Sequence, residues 1–141
     1  MHGTPIAAMI RLTFSALLAL TGLHLTPVAA VAQQAFPFGA ELRLEAQPLP
    51  GSKRLPWLQF SENGRVDIDL WCVTGRGQAV IVENTITILP TAMQDNQCPP
   101  DRLQLDKEFL EQLTGATGWR WQGALLVLDG PQPTRWRPST N

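Results

Sequence analysis

The sequence contains no tyrosine, and its only two histidines, His2 and His24, lie in the first 32 residues. Residues 33–141 therefore offer no imidazole, which excludes the usual serine-histidine-aspartate triad from that part of the chain. The same absence leaves two cysteines as the only strong zinc ligands, which is fewer than a zinc site requires. We therefore expect neither triad chemistry nor a metal or cofactor in residues 33–141.

Charged side chains are also few, at 16% of the sequence, and their signs nearly balance. Arg11 is the only Lys or Arg in residues 1–32, so residues 33–141 carry ten basic and twelve acidic side chains, a net charge of −2. Such a surface has no basic run with which to neutralise a phosphate backbone, so nucleic acid is not an expected partner. The sequence also lacks a basic amphipathic helix of the kind that lies on a membrane.

The first 32 residues have the composition of a secretory signal peptide. Arg11 precedes an apolar run from Leu12 to Leu25, and Ala30-Val31-Ala32 supplies a small-x-small cleavage site. The apolar run is too short to span a bilayer comfortably, so we expect no stable membrane insertion after cleavage. Cleavage after Ala32 predicts a periplasmic or secreted mature chain of residues 33–141.

Alternating hydrophobicity predicts short strands in the first half of this mature chain. Apolar and charged residues alternate from Ala40 to Ala46, and Trp57 to Phe60 forms a second run. Asn63-Gly64 follows, and this dipeptide between two alternating runs is a strong hairpin signal because both residues tolerate positive φ.

The middle of the chain is predicted to contain one further turn and one long loop. The two glycines of Thr74-Gly75-Arg76-Gly77 indicate the turn, and the polar, proline-ended segment Thr91 to Pro100 indicates the loop. Isoleucine and valine dominate the two runs between them, Gln78 to Val82 and Thr85 to Leu89, as expected of strands.

One helix of about two turns is predicted after the loop. Asp106 is a suitable N-cap, Leu105 and Leu110 are spaced as a hydrophobic staple, and Gly115 is a typical stop. Strands resume after this helix. The predicted fold is mainly β (α+β), a small antiparallel barrel or sandwich with one short packed helix near the C-terminus.

A chain of this length has room for a single domain. We expect a signal peptide over residues 1–32, a flexible N-terminal segment over residues 33–39, the folded domain over residues 40–137 and a frayed tail over residues 138–141.

The chain has only two cysteines, Cys72 and Cys98. Two thiols in a small exported domain usually pair, so we expect a disulfide between them. A redox-active pair is the alternative, but the spacing is not the C-x-x-C of thiol oxidoreductases.

One predicted strand face carries the side chains with the most chemistry. Asp67, Asp69 and Trp71 alternate with apolar residues, so they share one side of the strand, with the two carboxylates about 7 Å apart. This pair, with Glu62 or Glu83 nearby, is compatible with acid–base hydrolysis or a weak calcium site. The simpler alternative is a solvated strand face, and we expect no catalytic or metal-binding residue there.

Five tryptophans are the chain's only large amphipathic aromatic side chains. Trp71 lies in the polar register and Trp136 lies between two arginines, so both are candidates for an exposed binding surface with Asp67 and Asp69. Core packing is the expected role of Trp57, Trp119 and Trp121.

Several short motifs between Trp57 and Arg137 occur in an order shared with a known family. In chain order they are Leu58-Gln59-Phe60, Glu62-Asn63-Gly64-Arg65-Val66, Cys72, Thr85-Ile86-Thr87-Ile88, Thr91-Ala92-Met93, Phe109-Leu110 with Leu113, and Leu125 to Leu128. This order resembles the META domain family, which includes HslJ-like proteins. The resemblance implies a largely β domain with one packed helix, found in envelope and secreted proteins, associated with stress and not known for enzymatic activity.

Two positions depart from the family's pattern. The family tends to have Gly-Cys-Asn where this chain has Trp71-Cys72-Val73, and a cysteine closer behind Thr-x-Met than Cys98 is here. We expect an exported, non-enzymatic META-like domain with a protein- or envelope-interaction and stress-related role. Its partner would be an envelope protein or a small ligand. The alternatives are a carrier that holds a small apolar ligand inside a barrel, and a carboxylate-based hydrolase.

Overall fold

A computed structural model describes residues 34–139. The predicted signal peptide, residues 1–32, lies outside the described residues, as do residues 33, 140 and 141. The elements are β1 (Glu41–Leu44), β2 (Trp57–Phe60), β3 (Arg65–Asp69), β4 (Val73–Val82), β5 (Thr85–Asp95), α1 (Pro100–Thr114), β6 (Gly118–Gln122), β7 (Leu125–Asp129) and β8 (Thr134–Pro138).

The eight strands form a closed antiparallel barrel in which each strand pairs with its neighbours in the sequence. The barrel closes where β1 pairs with β8, with Leu42 opposite Pro138 and Leu44 opposite Trp136. The weakest junction lies between β5 and β6, which share the single pair Thr85 and Gly118, and α1 connects these two strands. The predicted small antiparallel barrel with one helix is therefore confirmed.

The strands alternate between buried and more exposed residues, as expected of a barrel whose inner face is filled by side chains. Every strand contributes to the core, and the largest fully buried side chains are Trp136, Phe60, Leu42, Leu58, Ile68, Leu70, Ile86, Ile88, Leu113, Leu126, Leu128 and Val66. These side chains occupy the space that a ligand-carrying barrel would keep open.

The predicted hairpin at Asn63-Gly64 joins β2 and β3. Gly64 has φ 83°, and its N–H donates to the carbonyl oxygen of Ser61. The Asn63 side-chain oxygen accepts a hydrogen bond from the N–H of Arg65. These local bonds fix the turn and set the register in which Phe60 lies opposite Val66.

The glycines in Thr74-Gly75-Arg76-Gly77 do not form a turn, so this prediction is wrong. They lie inside β4, where a Cβ atom at Gly75 would overlap the carbonyl oxygen of Ala92 and one at Gly77 would crowd that of Leu89. The register between β4 and β5 shifts between Arg76 and Gly77, as at a β-bulge. Glycine is therefore needed here for the close approach of two strands. The predicted loop over Thr91 to Pro100 is also too long, since β5 continues to Asp95.

The helix is longer than predicted. α1 has 15 residues and begins at Pro100, a position suited to the first turn because its missing N–H would have no partner there. Asp106 is therefore in the middle of the helix and is not an N-cap. Its side chain is buried, together with those of Phe109 and Leu113.

The two ends of the described chain also pack on the barrel. Phe36, in the segment expected to be flexible, is buried and makes edge-to-face contacts with Phe60 and Trp119. At the other end β8 extends to Pro138, and the N–H of Ser139 donates to the carbonyl oxygen of Glu41.

Cys72 and Cys98 form the predicted disulfide, with their Cα atoms 6.0 Å apart. The bridge links the chain just before β4 to the segment between β5 and α1. Asn96 supports the same corner by donating a 2.7 Å hydrogen bond from its side chain to the carbonyl oxygen of Cys72. Among the described residues, no helix has both the length and the apolar composition needed to cross a bilayer.

Candidate functional site

The outer faces of β2 to β5 carry a polar groove. One row of side chains crosses the four strands at Trp57, Asp69, Thr74 and Gln94, which lie opposite one another in the register. The next row contains Asp67, Arg76 and Ala92. Together these residues line a half-open cavity of about 420 Å³. We call it the polar groove, defined by Trp57, Asp67, Asp69, Thr74, Arg76 and Gln94.

Both carboxylates of the polar groove are bound by arginines. Asp69 accepts two hydrogen bonds from one nitrogen of Arg54, at 2.6 and 2.7 Å. Asp67 accepts hydrogen bonds of 2.7 and 3.1 Å from Arg65 and lies 3.4 Å from Nε of Arg76. The aspartate side chains are 18% and 15% exposed for Asp67 and Asp69, whereas that of Arg76 is 70% exposed. Charged groups presented to solvent here are therefore mainly guanidinium groups.

Trp71 does not share a surface with Asp67 and Asp69, although strand alternation predicted that all three lie on one face. Its ring packs edge-to-face on Phe109 of α1, with ring centroids 5.3 Å apart, and it does not line the polar groove. Its Nε1 atom is buried without a hydrogen-bond partner among the described residues. Helix packing, which strand periodicity does not reveal, turns this side chain toward the core.

Trp136 is not part of a binding surface, so this prediction is wrong. The side chain is 0% exposed, and its Nε1 donates a 2.8 Å hydrogen bond to the hydroxyl oxygen of Thr134. The flanking residues Arg135 and Arg137 point outward because neighbours in a strand alternate between faces. The two arginines therefore lie on the outer face of β8, and this arrangement is compatible with the burial of Trp136 on the inner face.

Trp57 shows the reverse error. Its expected role is core packing, but the side chain is only half-buried and lines the polar groove. The signal that could have identified it is its phase, since Leu58 and Phe60 are the buried residues of β2. Trp119 is buried as predicted, and its Nε1 donates to the carbonyl oxygen of Glu83.

A second feature of the same outer face was not predicted. Val80 and Val82 on β4 are 59% and 61% exposed, and Leu89 on β5 is 53% exposed. All three alternate with buried or half-buried residues of the same strands and point outward. We call these three side chains the apolar hairpin face. The sequence signal was available for β4, because the run Gln78 to Val82 has apolar residues in both of its alternating registers.

The apolar hairpin face lies on the less supported part of the β4–β5 hairpin. β3 pairs with β4 only from Thr74 to Gln78, and β6 pairs with β5 only at Thr85. Within residues 34–139, Val80 to Val82 therefore have a strand neighbour on one side alone. Trp119 stabilises the turn at the tip of the hairpin. Its backbone N–H donates to the carbonyl oxygen of Asn84, and its Nε1 donates to the carbonyl oxygen of Glu83.

The remaining chemical groups are dispersed. Neither Glu62 nor Glu83 lines the polar groove, so neither adds a carboxylate to the Asp67 and Asp69 pair. Asp95 lies near the sulfur atoms of Cys72 and Cys98, but the two sulfurs are joined to each other. Asp95 instead accepts backbone hydrogen bonds from Gln97 and Cys98.

A comparison with protein-family models matches residues 40–139 to the META domain. The match covers all eight strands and the helix. The comparisons with curated proteins and with solved structures return no significant match.

Proposed function

The chain belongs to the META domain family, and on that premise we propose that it is an exported, non-enzymatic domain that binds a protein of the cell envelope. The contact surface in this proposal is the apolar hairpin face. A role under envelope stress is part of the same proposal and derives from the family resemblance alone.

The observation that carries the proposal is the exposure of three aliphatic side chains on one face of the β4–β5 hairpin. Val80 and Val82 lie two residues apart on β4, and Leu89 lies diagonally across from Val80 on β5, since Val80 pairs with Thr87. Isolated exposed aliphatic residues are ordinary, whereas a contiguous group is typical of an interaction site. Covering such side chains would contribute about 25 cal/mol for each Å² of apolar surface removed from water.

The non-enzymatic part of the proposal is supported by what the groove carboxylates contact. A general base needs a carboxylate that is free to accept a proton from a substrate. Asp67 and Asp69 each accept hydrogen bonds from an arginine, and residues 33–141 contain no histidine. The proposal of a hydrolase therefore has little support in the geometry.

The ligand-carrier alternative is similarly weakened by packing. Carriers of the barrel type hold their ligand in the interior. In this barrel the interior is filled by large side chains, including Trp136, Phe60 and Ile88. We therefore place binding on the outer surface.

Export is supported by two features that are independent of each other. Residues 1–32 have the composition of a signal peptide, and the domain contains a disulfide, which forms and persists in oxidising compartments. Together they favour the periplasm or the extracellular space.

The proposal is tested by site-specific photocrosslinking in intact bacterial cells that express the full chain. The photoreactive residue p-benzoylphenylalanine replaces Val80 in one strain and Gln132, an exposed residue of the loop between β7 and β8, in a matched control. We expect a crosslinked protein of discrete mass from position 80 and none from position 132.

A third strain carries the probe at position 80 together with Val82→Thr and Leu89→Thr. It should give a weaker crosslink. Val82→Thr keeps the shape and β-branching of the side chain while removing its apolar character. No crosslink at position 80, or equal crosslinks from both probe positions, would contradict the proposal. Detection of the mature protein only in the cytoplasm would contradict the export component.

A further inference from the structure

We propose that the polar groove binds an acidic saccharide, meaning a short chain of pyranose rings that carries a carboxylate. The site is distinct from the apolar hairpin face and does not depend on the function proposed above. Its cavity of about 420 Å³ falls within the size range of small-molecule sites.

Trp57 supplies the aromatic surface that such a ligand needs. One face of a pyranose ring presents C–H bonds, and these pack against the negative face of an aromatic ring. Trp57 is half-buried at one end of the groove, which holds the ring in place while leaving part of it accessible. Among the described residues its indole nitrogen makes no hydrogen bond, so it is available to a hydroxyl group.

The row of polar side chains beyond Trp57 matches an extended, hydroxyl-rich ligand. Asp69, Thr74 and Gln94 follow Trp57 on three successive strands. Three steps of strand spacing give a row of about 14 Å, roughly the length of two or three linked sugar rings. Carboxylate, hydroxyl and amide groups accept or donate the hydrogen bonds that sugar hydroxyls require.

Arg76 supplies the preference for an acidic ligand. Its guanidinium is 70% exposed and contacts Asp67 through Nε at 3.4 Å. Its two terminal nitrogens make no hydrogen bond to the described part of the chain. An arginine with free terminal nitrogens binds a carboxylate in a bidentate manner. Around the groove, Arg54, Arg65 and Arg76 outnumber the two aspartates by one positive charge.

The same contacts disfavour the other ligand classes. A divalent cation would have to displace the guanidinium groups that already bind Asp67 and Asp69. A nucleic acid would require several free basic groups, whereas the groove has an excess of a single positive charge. A purely apolar ligand would remove Arg76 from water without offering a hydrogen-bond acceptor to its terminal nitrogens.

The test is calorimetric titration of the full chain, as processed by the host, with three probes. Tri-galacturonate is the acidic saccharide, galactotriose is the neutral analogue, and inorganic phosphate tests whether any anion suffices. We expect the affinity for tri-galacturonate to exceed that for galactotriose by about tenfold or more, because only the acidic sugar pairs with Arg76. We also expect this affinity to fall as salt is added.

Two variants locate the binding in the groove. Arg76→Gln should bring the affinity for tri-galacturonate close to that for galactotriose, and Trp57→Ala should weaken both by about tenfold. Arg120→Gln is the matched control, since Arg120 lies outside the groove on β6, and it should leave binding unchanged. Arg76 is an exposed side chain, so its replacement tests the proposal even if Trp57→Ala fails to fold.

Equal affinity for acidic and neutral saccharides, binding of phosphate alone, or binding unaffected by Arg76→Gln would overturn the proposal. Absence of saccharide binding would overturn it as well, while leaving the crosslinking test of the apolar hairpin face unaffected.

Discussion

The carboxylate of Asp106 on α1 accepts a 2.7 Å hydrogen bond from the backbone N–H of Cys72. The same carboxylate accepts a second bond of 2.6 Å from Val73 and a third of 3.3 Å from Trp71. One buried side chain therefore satisfies three consecutive N–H groups at the corner between β3 and β4. Because Cys72 is also in the disulfide, helix, sheet corner and bridge are joined at this point.

We predict that Asp106→Ala destabilises the domain by about 3 kcal/mol or more, because it leaves buried N–H groups without an acceptor. Asp106→Asn, which keeps one carbonyl oxygen, should cost about 1–2 kcal/mol. Urea unfolding of the variants measures both effects. Glu108→Gln, at an exposed position of the same helix, is the control and should change stability by less than about 0.5 kcal/mol. Equal costs for all three substitutions would contradict this account.

Asp106 also shows where local sequence patterns stop being informative. With Leu105 before it and Leu110 four residues after it, Asp106 has the pattern of an N-cap with a hydrophobic staple. This pattern involves only residues that are close in the sequence. The actual partners of Asp106 lie more than thirty residues away. A buried carboxylate that binds distant backbone groups cannot be distinguished from a cap until the fold is known.

The barrel itself could be predicted, because strand phase and turn residues are local properties. The alternation of Asp67 and Asp69 with apolar residues predicted a buried face that Val66, Ile68 and Leu70 do occupy, and Asn63-Gly64 predicted the turn. The candidate site was predicted only in part. Asp67 and Asp69 do line a groove, but the contributions of Trp57 and Arg76 depend on strand register, which the sequence leaves open.

We predict that the mature protein has no titratable thiol before reduction. The two cysteines are 26 residues apart, and closing a loop of that size contributes roughly 3.5 kcal/mol in the chain-entropy model. Thiol titration with and without reductant measures the first point, and urea unfolding of Cys72→Ser/Cys98→Ser measures the second. Two reactive thiols in the unreduced mature protein would contradict the pairing.

Glu83 offers a stabilising substitution. It has φ 52° in the turn between β4 and β5, a conformation that non-glycine residues adopt at a cost of about 1–3 kcal/mol. Glu83→Gly should therefore stabilise the domain by about 0.5–1 kcal/mol, after the larger backbone entropy of glycine in the unfolded chain is subtracted. Thermal unfolding measures this change.

The adjacent residue provides the control for that substitution. Asn84 does not have positive φ, and its side chain donates a 3.4 Å hydrogen bond to the carbonyl oxygen of Trp119. Asn84→Gly should therefore destabilise the domain. A loss of stability in both variants would show that the conformation of Glu83 is not strained.

The ion pair between Glu45 and Arg137 predicts a pH dependence at the β8 side of the barrel. Two hydrogen bonds from Arg137, with its positive charge, hold the pKa of the Glu45 carboxyl below its ordinary value of 4.5. A carboxyl with a lowered pKa stabilises the folded state above its unfolded-state pKa, and this contribution is lost as pH falls through the folded-state pKa. Glu45→Gln should therefore be less stable than the wild type near neutral pH and equally stable in strong acid. Urea unfolding at both pH values measures the difference, and a difference that does not change with pH would contradict the prediction.

Phe36 tests whether the segment before β1 belongs to the folded domain. Its ring is buried against Phe60 and Trp119, whereas Phe38, two residues later, is 40% exposed. Phe36→Ala should lower the free energy of unfolding by about 3 kcal/mol, as is usual when a buried aromatic ring is removed. The cavity that remains lies between the rings of Phe60 and Trp119, which have little freedom to close it. Phe38→Ala should cost less than about 1 kcal/mol. Urea unfolding compares the two variants.

Equal and small effects would mean that this segment detaches from the barrel in solution, as its sequence alone suggests. A large effect confined to Phe36→Ala would place the start of the domain before β1, at the aromatic contact between Phe36 and Phe60.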